Sequence, residues 1–160
     1  MKEINLRLLL AATIAATLAV GCHPKTNAEK ATADKFEWLT DYKQAQQEAN
    51  AQNKPLLIEF TGSDWCPPCI LMKKEVFTSP EFQSYAAKNF ILLEVDFPRG
   101  KEQPRELAAQ NMELAQKFAV EGFPCIVLLG SDGSKLAERV GYNSGSPVVF
   151  IAWLEKMRKG

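Results

Sequence analysis

This chain has no excess of charge of either sign: its 160 residues carry 19 Lys and Arg against 19 Asp and Glu. Such a balance implies no polyelectrolyte partner, so nucleic acid is not expected to bind. Histidine is almost absent. The single one, His23, stands in a polar stretch far from Cys66, Cys69 and Cys125 in the chain, which leaves a zinc site short of the roughly four ligands it needs. Apolar runs long enough to span a membrane are missing as well. The longest, Leu8 to Val20, covers roughly 20 Å at about 1.5 Å per residue, against a hydrocarbon core of roughly 30 Å. There is no internal repeat and no low-complexity segment. What remains is a length suited to one domain, with 46% hydrophobic residues to build its core.

The Leu8–Val20 run follows Lys2 and Arg7 and has the length of a signal-peptide h-region. It ends in Leu18-Ala19-Val20-Gly21-Cys22, which resembles a bacterial lipoprotein lipobox with Gly21 ahead of the modified cysteine. Ala19 departs from the pattern, which usually has Leu at that position. An ordinary cleaved secretory signal is the simpler reading. The resemblance implies a leader over residues 1–21, a lipidated Cys22, and a mature protein anchored to a membrane rather than spanning it. One acyl chain binds a bilayer only marginally, so a multiply acylated cysteine is what would hold firmly. His23 follows Cys22, where an acidic residue would resemble an inner-membrane retention signal, so the outer membrane is weakly favoured. Residues 22–35 are small, polar and charged, a flexible tether with nothing to bury.

The domain is expected over residues 36–160. Asp41 to Asn53 reads as a helix with Asp41 and Gln44 in a capping-box arrangement, and Pro55 to Thr61 as a short apolar strand. Cys66 to Val76 is helical, and Ser79-Pro80 restarts a helix through Lys88. Phe90 to Asp96 is a second strand, Phe97 to Pro104 a loop, and Arg105 to Phe118 a helix. Pro124 to Leu129 is a third strand. The Ser131-Asp132-Gly133-Ser134 turn pairs it antiparallel with Lys135 to Val140, and Pro147 to Lys159 closes the chain as a helix. The order βαβαββα behind an extra N-terminal helix implies an α/β fold, a mixed central sheet flanked by helices on both faces.

The chemistry concentrates in Trp65-Cys66-Pro67-Pro68-Cys69, where a strand hands over to a helix. Two cysteines three apart at a helix start can close and reopen a disulfide. Helix N–H groups and the positive end of the dipole favour the first as thiolate, the reactive species, so Cys66 is expected to be the exposed nucleophile. Pro67 and Pro68 lack N–H groups in that first turn. Fewer donors stabilise the thiolate less, which implies a pair less oxidising than a strong oxidase. A static disulfide or half a zinc site is the competing reading of the pair.

The strand, Trp-Cys-x-Pro-Cys, the helix, and Gly122-Phe123-Pro124 ahead of a strand and hairpin together resemble the thioredoxin superfamily over Phe36 to Lys159. Phe60 to Cys69 followed by Met72-Lys-Lys-Glu-Val-Phe77 is closest to extracytoplasmic thioredoxin-like proteins, among them the C-terminal domain of the disulfide reductase DsbD. The resemblance implies a thioredoxin fold in which Cys66 attacks, Cys69 resolves the mixed disulfide, and Pro124 is a cis-proline. Trp65 and Phe123 would shape the surface that receives an extended substrate. Glu59, a charge inside an apolar strand, resembles the buried carboxylate that takes a proton from the resolving thiol. Glu replaces the usual Asp, and the Gly62-Ser63-Asp64 loop is one residue longer. A solvated strand-end Glu59 is the alternative. Cys125 stands where Thr is common; it is either a small buried apolar residue or a third thiol near the pair.

These readings imply an extracytoplasmic enzyme in the periplasm or cell envelope. It would reduce or isomerise disulfides of envelope proteins with no bound cofactor or metal, and take electrons from a dithiol donor such as a membrane thiol reductase. The other class is a binding module, in its concrete form a copper-delivery protein using soft thiolates. The lack of nearby Met or His ligands argues against that class.

Overall fold

The computed structural model describes residues 35–159. The expected leader, Cys22 and nearly all of the tether lie outside the described residues. In chain order the elements are β1 (Trp38–Leu39), α1 (Tyr42–Gln52), β2 (Leu56–Thr61), α2 (Pro67–Met72) running directly into a π-helical turn (Lys73–Phe77), α3 (Pro80–Asn89) and β3 (Ile91–Asp96). They continue with α4 (Arg105–Lys117), β4 (Cys125–Leu129), β5 (Lys135–Val140) and α5 (Pro147–Arg158). The sheet order is β1-β3-β2-β4-β5. Strands β1, β3 and β2 run parallel, while β4 is antiparallel to β2 and β5 to β4. This is the mixed, helix-flanked sheet expected from the element order.

Local chemistry sets the boundaries. Asp41 caps α1 by accepting the Gln44 amide at 2.8 Å. The reciprocal half of the expected capping box is not made, because the Gln44 side chain reaches forward to Glu48 at 2.9 Å. Ser79 and Ser146 cap α3 and α5 ahead of Pro80 and Pro147, whose missing N–H groups cost nothing in a first turn. In the β4–β5 connection Gly133 takes φ 85°, a value that only glycine adopts freely.

Two elements differ from expectation. β1 has no counterpart in the expected order, which begins with a helix; it is only two residues long, too short to show an alternating pattern. The helix expected over Cys66–Val76 is α-helical only to Met72 and then widens into the π turn, with Thr78 N–H donating to Lys73 O at 3.0 Å.

Strand alternation divides the core into two layers. Leu56, Ile58 and Phe60 of β2 pack with Leu93, Val95, Cys125 and Val127 against Ala45 and Ala49 of α1 and Leu114 of α4. Leu57, Leu92, Ile126 and Leu128 face the other way, against Met72, Val76, Phe82, Phe150 and Leu154. Each fully buried side chain of this size contributes about 1.5–3 kcal/mol. The layer carrying α2 is therefore anchored through Met72 and Val76, and this fixes the helix that begins at Cys66 against the C-terminal end of β2.

Candidate active site

β2 ends at Thr61, and the chain turns through Gly62-Ser63-Asp64 before α2. The amides of Trp65 and Cys66 both return to the Gly62 carbonyl, at 3.2 and 2.9 Å. Gly62 is required here by a close approach: a Cβ at this position would lie 2.5 Å from the Trp65 ring. The indole N–H donates to the Phe97 carbonyl at 2.7 Å. Its ring stands edge-on to Phe123 at 5.9 Å, Phe123 lies 5.3 Å from Phe97, and the Arg99 guanidinium stacks 3.6 Å over the indole. Trp65 and Phe123, assigned to one surface by resemblance, are in direct ring contact.

Cys66 is the N-cap residue of α2, with Pro67 and Pro68 following in the first turn. It is disulfide-bonded to Cys69, with Cα atoms 5.3 Å apart. The expectation of an exposed first cysteine is corrected in this oxidised pair: Cys66 is only 3% exposed and Cys69 1%. The amide of Cys66 is itself tied back to Gly62. Cys69 borders a recess of about 310 Å³ shared with Thr61, Ser63, Ile70 and Lys73.

Glu59 sits on the α2 side of the sheet, alternating with the opposite-facing Ile58 and Phe60, and is 2% exposed. The solvated strand-end alternative is thereby excluded. Burial pushes its carboxyl up to about 8, helped by the nearby Glu94 charge and opposed by Lys73 and a hydrogen bond with Thr61. Glu94 is its register partner on β3 and forms an ion pair with Lys73 at 3.3 Å.

The Phe123–Pro124 bond is cis, as the resemblance implies. Cys125 begins β4 paired with Phe60 and is fully buried in the layer of α1 and α4. Burial, with the Glu138 carboxylate, pushes its thiol up to about 12. The structure does not bring this side chain to the disulfide, because strand alternation turns it into the layer opposite α2. Of the two readings of Cys125, the geometry matches the small buried residue.

The Phe97–Pro104 loop, expected only as a connection, forms a wall of the site. Asp64 accepts the amides of Arg99 at 3.1 Å and Gly100 at 2.7 Å. These bonds, Arg99 first, hold its carboxyl below the usual range. Asp96 accepts from the Ser63 amide and hydroxyl at 2.9 and 2.7 Å and pairs with Lys101 at 3.2 Å. Buried Asn111 donates to the Asp96 carbonyl at 2.9 Å. The signal for this wall in the sequence is slight, one carboxylate in the loop ahead of Cys66 and one at the end of β3.

The cis Phe123–Pro124 bond ahead of β4, the Cys66–Cys69 disulfide at a helix N-terminus and the buried Glu59 on β2 are linked by the β2–β4 pairing and the Trp65–Phe123 ring contact. Residues 42–158 match the family described as thioredoxin-like domain. The chain belongs to the thioredoxin-like family. This thioredoxin-like chain is 34% identical over 127 residues to the disulfide bond reductase DsbH of Chlamydia pneumoniae, covering 79% of this chain and 75% of that one. It is 36% identical over 119 residues to the thioredoxin-related protein DsbJ of the same organism, covering 74% of this chain but only 33% of DsbJ. Among solved structures, a DsbH oxidoreductase superposes with TM-score 0.73 at 30% identity, over 86% of this chain and 94% of that one. The reduced C-terminal domain of Neisseria meningitidis DsbD gives 0.54 at 25%, over 72% and 93%. The chain is thus homologous to thiol–disulfide oxidoreductases.

Proposed function

We propose that this protein is an extracytoplasmic protein-disulfide reductase or isomerase working through Cys66 and Cys69. The observation that carries the reading is the Cys66–Cys69 disulfide at the start of α2, on the same side of the sheet as the buried Glu59. In the reduced protein the Cys66 thiolate attacks a substrate disulfide. One S–S bond breaks, a mixed disulfide forms, and the first substrate sulfur leaves as thiolate. Cys69 then gives its proton to the Glu59 carboxylate and attacks the Cys66 sulfur. This closes the Cys66–Cys69 disulfide and releases the second substrate thiolate. Two electrons have passed to the substrate, and a dithiol protein must return them by the reverse exchange.

Trp65, Phe123 and the cis-Pro124 turn supply the surface on which an extended substrate segment would lie. The direction of exchange is argued from Pro67 and Pro68. With two of the first-turn N–H donors missing, at Pro67 and Pro68, the Cys66 thiolate is stabilised less and the pair is a weaker oxidant. The name disulfide bond reductase, borne by a relative, agrees with that direction. A reduction potential near about −120 mV would refute it. Lipidation at Cys22 and an envelope location complete the reading, supported by the lipobox resemblance. No helix among the described residues is long and apolar enough to cross a membrane.

The test is insulin-disulfide reduction by the wild type and by Cys66→Ser. Turnover that disappears in the variant supports the mechanism; a fully active Cys66→Ser refutes it.

A further inference from the structure

The two residues ahead of Cys66 both grip the loop that follows β3. Trp65 donates its indole N–H to the Phe97 carbonyl at 2.7 Å, and Asp64 accepts the amides of Arg99 at 3.1 Å and Gly100 at 2.7 Å. The Phe97 ring lies 5.3 Å from Phe123, the residue ahead of the cis-proline. These contacts fix the main chain on either side of Arg99, and the Arg99 guanidinium lies 3.6 Å over the Trp65 ring.

Stacking occupies the face of a guanidinium and leaves its N–H donors, which lie in the plane, open at the rim. Arg99 is exposed, and among the described residues no carboxylate pairs with its side chain. Asp64 takes the main-chain amides of Arg99 and Gly100, and Asp96 takes Ser63 and Lys101. An oriented cation with open donors therefore sits on the residue that precedes Cys66.

We propose that Arg99 is a specificity-determining residue that binds an acidic side chain, Asp or Glu, placed beside the cysteine of the substrate disulfide. This deepens the proposed function, because it rests on a substrate segment lying over Trp65, Phe123 and Pro124. A carboxylate meets a guanidinium through parallel N–H···O bonds, and a guanidinium already held against an indole loses little freedom in making them. A neutral side chain at the same place leaves the donors unpaired, and a basic one meets like charge, so the loop rejects as well as attracts. If Arg99 only buttressed the Trp65 ring, its loss would slow every substrate alike.

The experiment uses three disulfide-linked dimers of one short cysteine peptide, with Asp, Asn or Lys on both sides of the cysteine. Each is mixed with the reduced full-length protein, and the second-order rate constant for closure of the Cys66–Cys69 disulfide is measured. Dividing the wild-type value by the variant value for each peptide cancels the intrinsic reactivity of that peptide's disulfide. Arg99→Gln is expected to cost the Asp peptide about five- to tenfold more than the Asn peptide. Arg99→Glu should cost the Asp peptide still more and speed the Lys peptide relative to the Asn one. The Asp-specific loss should shrink severalfold at about 1 M salt. Equal losses with all three peptides, or a larger loss with the Lys peptide, overturn the proposal. A wild type that reduces none of the peptides overturns the proposed function instead, and binding then decides the role of Arg99. With Ser in place of the peptide cysteine, the Asp peptide should shift the Trp65 indole N–H resonance, assigned by its loss in Trp65→Phe, at about fivefold lower concentration than the Asn peptide. That difference should vanish in Arg99→Gln. Equal concentrations in the wild type overturn the assignment.

Discussion

The indole N–H of Trp65 donates to the main-chain carbonyl of Phe97 at 2.7 Å, tying the residue before the first cysteine to the loop after β3. That bond exists because Gly62 leaves room for the ring. Gly62→Ala is expected to push the indole off its acceptor and destabilise the protein by about 1–3 kcal/mol, read by urea unfolding. Disulfide reduction should fall with it through a raised KM for the substrate. An unchanged unfolding midpoint would show that the ring has no need of the space.

Asp64 fastens the other side of the same wall through the amides of Arg99 and Gly100. In Asp64→Ala these donors are released to solvent, and amide exchange at Gly100 should speed up markedly while exchange within β2 and β3 stays as it was. Exchange that accelerates equally throughout would mean global destabilisation, contrary to a local strap.

Glu59 makes stability depend on pH in a specific direction. Its carboxyl is raised from 4.5 to about 8, so between those values the folded protein holds a proton that the unfolded chain has lost. Stability therefore falls as pH rises through that window, by at most about 1.4 kcal/mol per pH unit from this group, and levels off above it. Glu59→Gln removes that slope. Against the wild type it should gain stability on the order of a few kcal/mol between pH 5 and pH 9, measured by urea titration of the oxidised forms. A wild-type-minus-variant difference that does not depend on pH would contradict the burial of an ionisable acid here. The same variant should slow resolution of the mixed disulfide without loss of fold.

Cys125, buried in the layer opposite α2 with its thiol pushed up to about 12, should resist alkylation in the native protein at pH 8 and react once the chain is unfolded. For the same reason, oxidising Cys69→Ser should not yield a Cys66–Cys125 disulfide. Peptide mapping by mass spectrometry checks both. Finding that crosslink in the folded protein would show that β4 can turn the thiol toward the pair.

The parts of this protein with strong local chemistry were legible in the chain. β2, the two serine-capped helices and the Cys66 helix start follow from apolar runs, prolines and capping residues that act within a few positions. Glu59 stood out because a charge within Leu56–Thr61 has no local justification. What was not legible depends on register or on contact at a distance. β1 is two residues of edge pairing against Leu92 and Leu93, with no pattern of its own. The pairing of Glu59 with Glu94 needs the β2–β3 register. The stacking of Arg99 on Trp65 needs the path of a loop that two prolines and a glycine mark as irregular without fixing where Arg99 points. The widening of the helix at Lys73 has no proline or glycine to announce it. The burial of Cys66 likewise depends on tertiary packing that spacing alone does not reveal.

The central claim, that Cys66 attacks and Cys69 resolves, is tested most directly by trapping the mixed disulfide. Reduced Cys69→Ser, incubated with a disulfide-containing substrate and mapped by mass spectrometry, should accumulate one stable adduct bonded through Cys66. The wild type should pass to the closed Cys66–Cys69 disulfide and release free substrate thiols. An adduct on Cys125, or none at all while the wild type still reduces the substrate, would contradict the assignment.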